Sequence, residues 1–362
     1  MKRVFAIATI GAVILVLLWG LFTFNSLNHF DDIVSNFDGR CDAVSGIAGP
    51  EDVQVDFSTR KAFISSLDRR AALNGSKEAL RGAIYLFDID NPLSGTSWLD
   101  RTNGLPEKLA PSGIHFYQEG SLRRLFVVND ATKQIELFDV SLDGNLTHLE
   151  SFTERRLTSP KDVVATGPRS FYVTNDTFKA SGSLKGNIDF LFRRRSGVVF
   201  YFNGTSWHKA AENIRYANGI GINKKGDRLY ITETAAENLI EYSRDPETGY
   251  LTLERRIGTG AAVDNINIDE DGVFWIGAHP RPIALVRHSR DKNNLAPSKV
   301  FSFNSETDEL STIYTDDGTL LSGSSSAARI NRKLIIGSLY EEKFLLCNMH
   351  VKQPAIEGAL SL

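Results

Sequence analysis

Sulfur is scarce in this sequence: 362 residues contain 2 cysteines and 2 methionines, so at most one intrachain disulfide can form. Neither sign of charge is in excess. Lys and Arg number 41 against 44 Asp and Glu, for a formal net charge of -3. No basic stripe runs along any expected element, which excludes the electrostatic footprint of a nucleic-acid binder. A long amphipathic helix is also missing, which argues against an α-helical or α/β domain. The remaining composition, 42% hydrophobic and 23% charged, is that of a globular chain able to bury a sizeable core.

Charge is absent altogether from Val4 to Phe24, directly after Lys2 and Arg3. A run of that length can cross roughly 30 Å of hydrocarbon as a helix. A cleaved signal peptide would need a shorter apolar run and small residues near its end, where Trp19, Leu21 and Phe22 stand instead. Residues 1–24 therefore read as a cytosolic tip and signal anchor, and 25–40 as a linker. Basic residues precede the span, and Asp31, Asp32 and Asp38 follow it. The positive-inside rule then places residues 41–362 in the lumen or outside the cell, as the globular part of a single-pass membrane protein. Cys41 and Cys347 are a disulfide candidate there, the alternative being two buried thiols. Sequons at Asn74, Asn145, Asn175 and Asn203 are glycosylation candidates.

What is abundant is short strands. Six hydrophobic segments recur, aligned at Phe63, Phe126, Tyr172, Tyr230, Trp275 and Ile335. Ten to thirteen positions before them stand Glu51–Asp52, Ser112–Gly113, Lys161–Asp162, Asn218–Gly219, Asp264–Asn265 and Ser324–Ser325. Further strands, among them 82–89, 135–140, 197–203, 239–242 and 283–288, lie between them, separated by Gly, Asp, Asn and Ser turns. A repeat of this period fits one four-stranded sheet per copy, hence an all-β, six-bladed propeller. The polar pairs would open the six innermost strands and converge on a central channel.

Glu51, Asp52, Asp162, Asn218, Asp264 and Asn265 offer carboxylate and amide oxygens without sulfur or imidazole. Hard oxygen donors in that number favour calcium over zinc. Strand caps and Asx turns would explain any one of these residues, but not their shared register.

With these segments in view, the chain resembles the serum paraoxonase and arylesterase family. The resemblance is carried by Gly49-Pro-Glu-Asp-Val53, Ser112-Gly-Ile114, Asp162-Val-Val-Ala-Thr-Gly-Pro168, Tyr216-Ala-Asn-Gly-Ile220 and Val263-Asp-Asn-Ile266. It implies a calcium-dependent propeller that hydrolyses lactones and aryl esters, with a structural and a catalytic Ca2+. It implies Asp52, Asp162 and the Ile114 carbonyl at the structural ion, and Glu51, Asn218, Asp264 and Asn265 at the catalytic one. A disulfide between Cys41 and Cys347 would close the ring. Two departures stand out. The catalytic ion's fifth ligand, an asparagine, is Lys161 here, and the family's histidine dyad falls on Ser112 and Asp130.

His115 reads as a packing residue, because odd and even strand positions face opposite sides. His279, Asp130 or Glu51 could act as base, or Asp264 as nucleophile, toward a carbonyl polarised by calcium. The stretch 178–196 reads as a lid, and Phe190 to Arg195 could rest on a membrane surface. Two other readings stay open. One is a non-catalytic propeller serving as scaffold or chaperone for membrane proteins. The other, a metal-free condensing propeller resembling strictosidine synthase, has no need of these oxygen ligands.

Overall fold

The computed structural model describes residues 32–350 apart from 77–80, 93–97, 103–105 and 177–191, with a few positions before residue 21. Six antiparallel sheets are arranged in sequence order. Blade 1 runs outward through Pro50–Asp56, Lys61–Ser66, Ala83–Asp88 and Trp98–Asp100. Blade 2 comprises Pro111–Glu119, Leu122–Asn129, Gln134–Val140 and Leu146–Phe152. Blade 3 comprises Pro160–Ala165, Phe171–Asn175, Gly197–Phe202 and Trp207–Ile214. Blade 4 comprises Ala217–Ile222, Arg228–Glu233, Asn238–Arg244 and Leu251–Gly258. Blade 5 comprises Ala262–Ile268, Val273–His279, Ser298–Asn304 and Glu309–Asp316. Blade 6 takes Ser324–Ile330, Lys333–Ser338 and Lys343–Met349 from the C-terminal side and its outermost strand, Gly39–Ser45, from the N-terminal side. Each innermost strand touches the next, and that of blade 6 touches that of blade 1, so the ring is closed.

The six hydrophobic copies are the second strands, buried on both faces as in any propeller whose blades stack face to face. One apolar cluster fills each junction between neighbouring blades. Between blades 2 and 3, Phe126, Phe152, Phe171 and Phe202 pack with ring centroids 5.0–5.6 Å apart. Between blades 6 and 1, Phe344 meets Phe87 edge-on at 5.0 Å.

Two expectations change. Residues 283–288 are helical: α2, Pro282–Arg290, starts with proline at its first position, where the missing N–H costs no bond. A shorter helix, α1, Arg69–Leu73, follows the second strand of blade 1 and is capped by Asp68, whose carboxylate accepts from the Ala71 N–H at 2.9 Å. Part of the expected linker is paired: Asn36–Phe37 adds to the outer edge of blade 5, and Gly39 and Arg40 already belong to blade 6. Most of the expected span lies outside the described residues, among which no helix is long and apolar enough to cross a membrane. Most of the expected lid is also outside them; of its described end, Phe192 is 55% exposed.

Cys41 lies directly opposite Cys347 on the paired end strands, and the two form a disulfide across a sequence separation of 306 residues. Restricting so long a loop in the unfolded chain is worth roughly 5 kcal/mol by the chain-entropy relation. Reduction of the wild-type protein and the substitution Cys41→Ser should therefore lower the thermal midpoint by a similar amount, and reductant should not shift the variant further.

Candidate active site

All six innermost strands share one irregularity near their start. Strand pairing skips two residues on the inner strand against one on its partner. The skipped pairs are Glu51–Asp52, Ser112–Gly113, Lys161–Asp162, Asn218–Gly219, Asp264–Asn265 and Ser325–Ser326. Five are the polar pairs read from the sequence. The sixth lies one residue later than expected. A β-bulge re-aims side chains at the point where it interrupts the ladder, so two consecutive residues of every blade turn toward the axis. Glycine at two of these places is a matter of space: a Cβ on Gly113 would come within 2.3 Å of Asp162 Oδ1, and one on Gly219 within 2.3 Å of the Asp264 carbonyl.

The bulges also couple the blades. Ser112 donates to the Lys161 carbonyl at 3.2 Å, Thr174 to that of Asn218 at 2.5 Å, and Thr232 to that of Asp264 at 2.7 Å. Ser324 donates to Ala278 at 3.0 Å and Ser325 to Glu51 at 2.5 Å, and the Ile114 N–H donates to Asp52 at 2.9 Å. Every junction thus carries a hydrogen bond at the channel.

The second bulge residues form an inner tier. Asp52 is 1% exposed and accepts only from the Val53 and Ile114 N–H groups, at 2.8 and 2.9 Å, and from Asn267 at 3.4 Å. Asp162, 2% exposed, repeats the arrangement one step on, accepting from Val163 and Ile220 at 2.8 and 2.9 Å. Among the described residues no basic side chain pairs with either. Burial raises the Asp52 carboxyl to about 7, with a contribution from the charge of Asp264. Burial, followed by the charge of Asp52, pushes Asp162 well above the carboxylate range. Two buried, uncompensated carboxylates with hard oxygens fit a divalent cation. Among the described residues no three His, Cys, Asp or Glu side chains converge to hold a metal. Carbonyl oxygens such as that of Ile114 must complete any such site.

The first bulge residues face a different surrounding at the mouth. Glu51 is ion-paired with Arg69 of α1, whose guanidinium also donates to the carbonyls of Gly49 and Pro111, both at 3.1 Å. Burial lowers that guanidinium from its ordinary value. Lys161 Nζ lies 3.4 Å from Asp176 and 5.9 Å from the ring centre of Tyr216. Burial alone would lower the ammonium, but Tyr216, Asp176 and Asp130 outweigh it and hold it well above its ordinary value. Tyr216 sits at φ +66°, a left-handed conformation uncommon for a bulky residue and frequent at functional sites. Asp264 accepts from Asn218 Nδ2 at 2.6 Å and engages His279 Nε2 at 2.9 Å. Among the described residues, the buried Nδ1 of His279, a residue 4% exposed, has no hydrogen-bond partner, and neither has the buried Asn265 amide nitrogen.

The remaining candidates are outside this cluster or bound within it. Asp130 is half-buried and pairs with Lys133 at 3.3 Å, and Ser112 is spent on the inter-blade bond. His115 lies farther along its strand, lining a separate cavity with Gln54, Phe116 and Asn267, and burial holds its imidazole at about 4. Asn74, Asn145 and Asn203 are exposed. Asn175 is fully buried and accepts from the Thr158 and Ser159 N–H groups at 2.9 and 2.8 Å, which leaves no room for a glycan. Sequence reasoning missed Arg69, Asp176 and Tyr216. Asp176 could have been flagged as the acid after the second strand of blade 3; Arg69 reaches the channel only through α1.

A family model described as Arylesterase matches residues 37–349. The chain belongs to the arylesterase family. Among its relatives, serum paraoxonase/arylesterase 1 of Mus musculus is 29% identical over 334 residues, 89% of this chain and 92% of that protein. The Homo sapiens counterpart is 30% identical over 321 residues, covering 86% and 89%. Serum paraoxonase/lactonase 3 of Mus musculus is 26% identical across 96% of this chain and all of that one. A gluconolactonase from Xanthomonas campestris superimposes with a TM-score of 0.57 at 14% identity, covering 88% of this chain and 96% of that structure, and shares the fold. So does regucalcin from Agrobacterium tumefaciens, a calcium-binding protein, with TM-score 0.53 at 15% identity and 88% and 97% coverage. Within the arylesterase family, this member's mouth carries two basic side chains among its oxygen donors.

The raised Asp52 and Asp162 carboxyls give a pH test. Both hold their protons more tightly folded than unfolded, so the unfolded chain binds fewer protons between about pH 4, near the ordinary value of 3.8, and about pH 7. Stability must then fall as pH rises through that window. Thermal melts in excess chelator should show this decline, and a divalent cation held by the deprotonated carboxylates should flatten it, which melts in saturating calcium test.

Proposed function

We propose that this protein hydrolyses small lactones or aryl esters at the channel mouth, with His279 as general base. The names of its arylesterase and lactonase relatives support an ester or lactone hydrolase. The observation that carries the assignment is the Asp264–His279 contact of 2.9 Å combined with a buried, unpartnered Nδ1. A carboxylate on Nε2 fixes the tautomer with the proton on that nitrogen, leaving the Nδ1 lone pair as acceptor, as in the orienting step of a catalytic triad. Asn218 in turn holds the other oxygen of Asp264. Nδ1 takes a proton from water, the hydroxide oxygen bonds to the substrate carbonyl carbon, and the proton is returned to the alkoxide or phenoxide that leaves. Asp264 stabilises the imidazolium in between. Glu51 is a poor base beside Arg69, and Asp130 is committed to Lys133.

Calcium at Asp52 and Asp162, completed by the Ile114 carbonyl, would neutralise the buried carboxylates and tie the central strands together. The apolar segment 4–24 is proposed as a membrane anchor with the propeller on the lumenal or extracellular side, a placement consistent with the Cys41–Cys347 disulfide. Organic ester substrates enter at the mouth, where Tyr216 and Tyr340 lie among the charged groups.

Assay of the full chain on phenyl acetate and a panel of lactones, with and without chelator, tests the reading. His279→Gln should lower kcat by about 10²–10⁴-fold with little change in KM. Asp264→Asn should act in the same direction, and the thermal midpoints of both variants should stay near wild type. No turnover by a folded, calcium-loaded wild type would favour a non-catalytic scaffold instead.

A further inference from the structure

We propose that the channel mouth takes no second divalent cation, and that the ammonium of Lys161 supplies the positive charge that holds the developing oxyanion. The exclusion of the ion rests on the geometry alone; the catalytic role of Lys161 rests on the hydrolase reading above.

Three of the oxygen-bearing side chains at the mouth, Glu51, Asp264 and Asn218, are already engaged or neutralised in a way that disfavours a metal, which leaves Asn265 as the one amide without a hydrogen bond among the described residues. Arg69 closes Glu51 off: its two terminal nitrogens are shared among Glu51 and the carbonyls of Gly49, Leu67 and Pro111, so the guanidinium is held from four sides. A guanidinium so fixed cannot withdraw to admit a second cation without leaving backbone carbonyls and Glu51 unpaired. Asp264 is divided between Asn218 and His279. The Asn218 amide is turned with its nitrogen toward Asp264, spending a donor where a metal would need the oxygen. Lys161 then places a unit positive charge on the bulge next to that of Asn218, and an ammonium offers donors only. A divalent ion would meet two fixed cations and find too few free lone pairs.

The two basic side chains differ in what they have left. Both terminal nitrogens of Arg69 are used. Lys161 has three N–H donors, one ion-pair partner in Asp176 at 3.4 Å, and the face of Tyr216 at 5.9 Å. Its side chain is 15% exposed and that of Asp176 2%, so the pair sits in a site that screens charge poorly. Asp176 keeps the ammonium in position from the end of the second strand of blade 3, and Tyr216, held at φ +66°, presents its ring from the opening of blade 4. The result is a positive charge whose remaining donors have no partner among the described residues, in the same mouth as the Nδ1 of His279, which has none among them either. Both sense the same acid: Asp264 binds His279 and acts electrostatically on Tyr216, the neighbour of Lys161. One group activates water and the other accepts the negative charge as it moves to the carbonyl oxygen.

Calcium counting decides the first part. The full-length protein, stripped with chelator and re-equilibrated in calcium, should bind one ion per chain by isothermal titration and elemental analysis. The double variant Arg69→Gln with Lys161→Asn should bind two, with each single variant checked by thermal melt for folding. Two ions on the wild type, or one on a folded double variant, would overturn the exclusion. Lys161→Met should keep one calcium and a wild-type melt while kcat falls about 10²–10³-fold, and Lys161→Arg should recover part of that loss. Full turnover by Lys161→Met, or no turnover by the wild type, would overturn the oxyanion role, and in either case the ion count still decides the exclusion.

Discussion

Two residues set against one, at the start of every central strand, is the constraint on which this structure depends. A regular ladder would alternate side chains between the faces of each blade and leave the axis lined by single residues. The bulge turns consecutive residues inward, so each blade contributes to two tiers instead of one. The same distortion frees carbonyls and hydroxyls to reach sideways, and the hydrogen bonds between blades are made there. Architecture and chemistry are therefore set by one local irregularity repeated around the ring.

The two tiers solve their electrostatics differently. In the inner one, Asp52 and Asp162 take backbone N–H groups and remain overcharged, which is the condition under which a bound cation contributes to folding as well as to shape. In the outer one, the charges of Glu51 and Asp176 are met by Arg69 and Lys161, and Asp264 is held by Asn218 and His279. The channel thus sets an uncompensated carboxylate layer and a side-chain-neutralised layer on adjacent residues of the same bulges.

The inner tier was legible in the sequence because the residues that make it are strand-bound and recur in register with the hydrophobic copies. Six blades, the disulfide partners and most of the bulge pairs follow from that periodicity and from family resemblance. The sixth bulge was misplaced by one residue because four consecutive residues, Gly323 to Ser326, give no contrast in polarity by which to fix it. The segment 283–288 opens with four consecutive apolar residues, a run short enough to pass for a buried strand, and only the proline before it signals a helix. Arg69 was hidden for a different reason. Its role depends on α1 folding back over the mouth, a tertiary fact with no periodic trace, and the conformation of Tyr216 leaves none either. Lys161, by contrast, is visible in the sequence as a departure, whereas its partner Asp176 is masked by the sequon at Asn175.

The strand that closes blade 6 also sets an order of events. Gly39–Ser45 is made before blades 1 to 5, yet its partner, Lys343–Met349, is made after them. For most of translation the early strand has no edge to join, and the five complete sheets between must form while the ring is open. Closure is consequently the last long-range step, with the slow folding expected of contacts so distant in sequence. Joint oxidation of Cys41 and Cys347 to the disulfide, with an external thiol oxidant taking the two electrons and two protons, would register that step chemically, marking a finished ring and distinguishing it from every shorter intermediate.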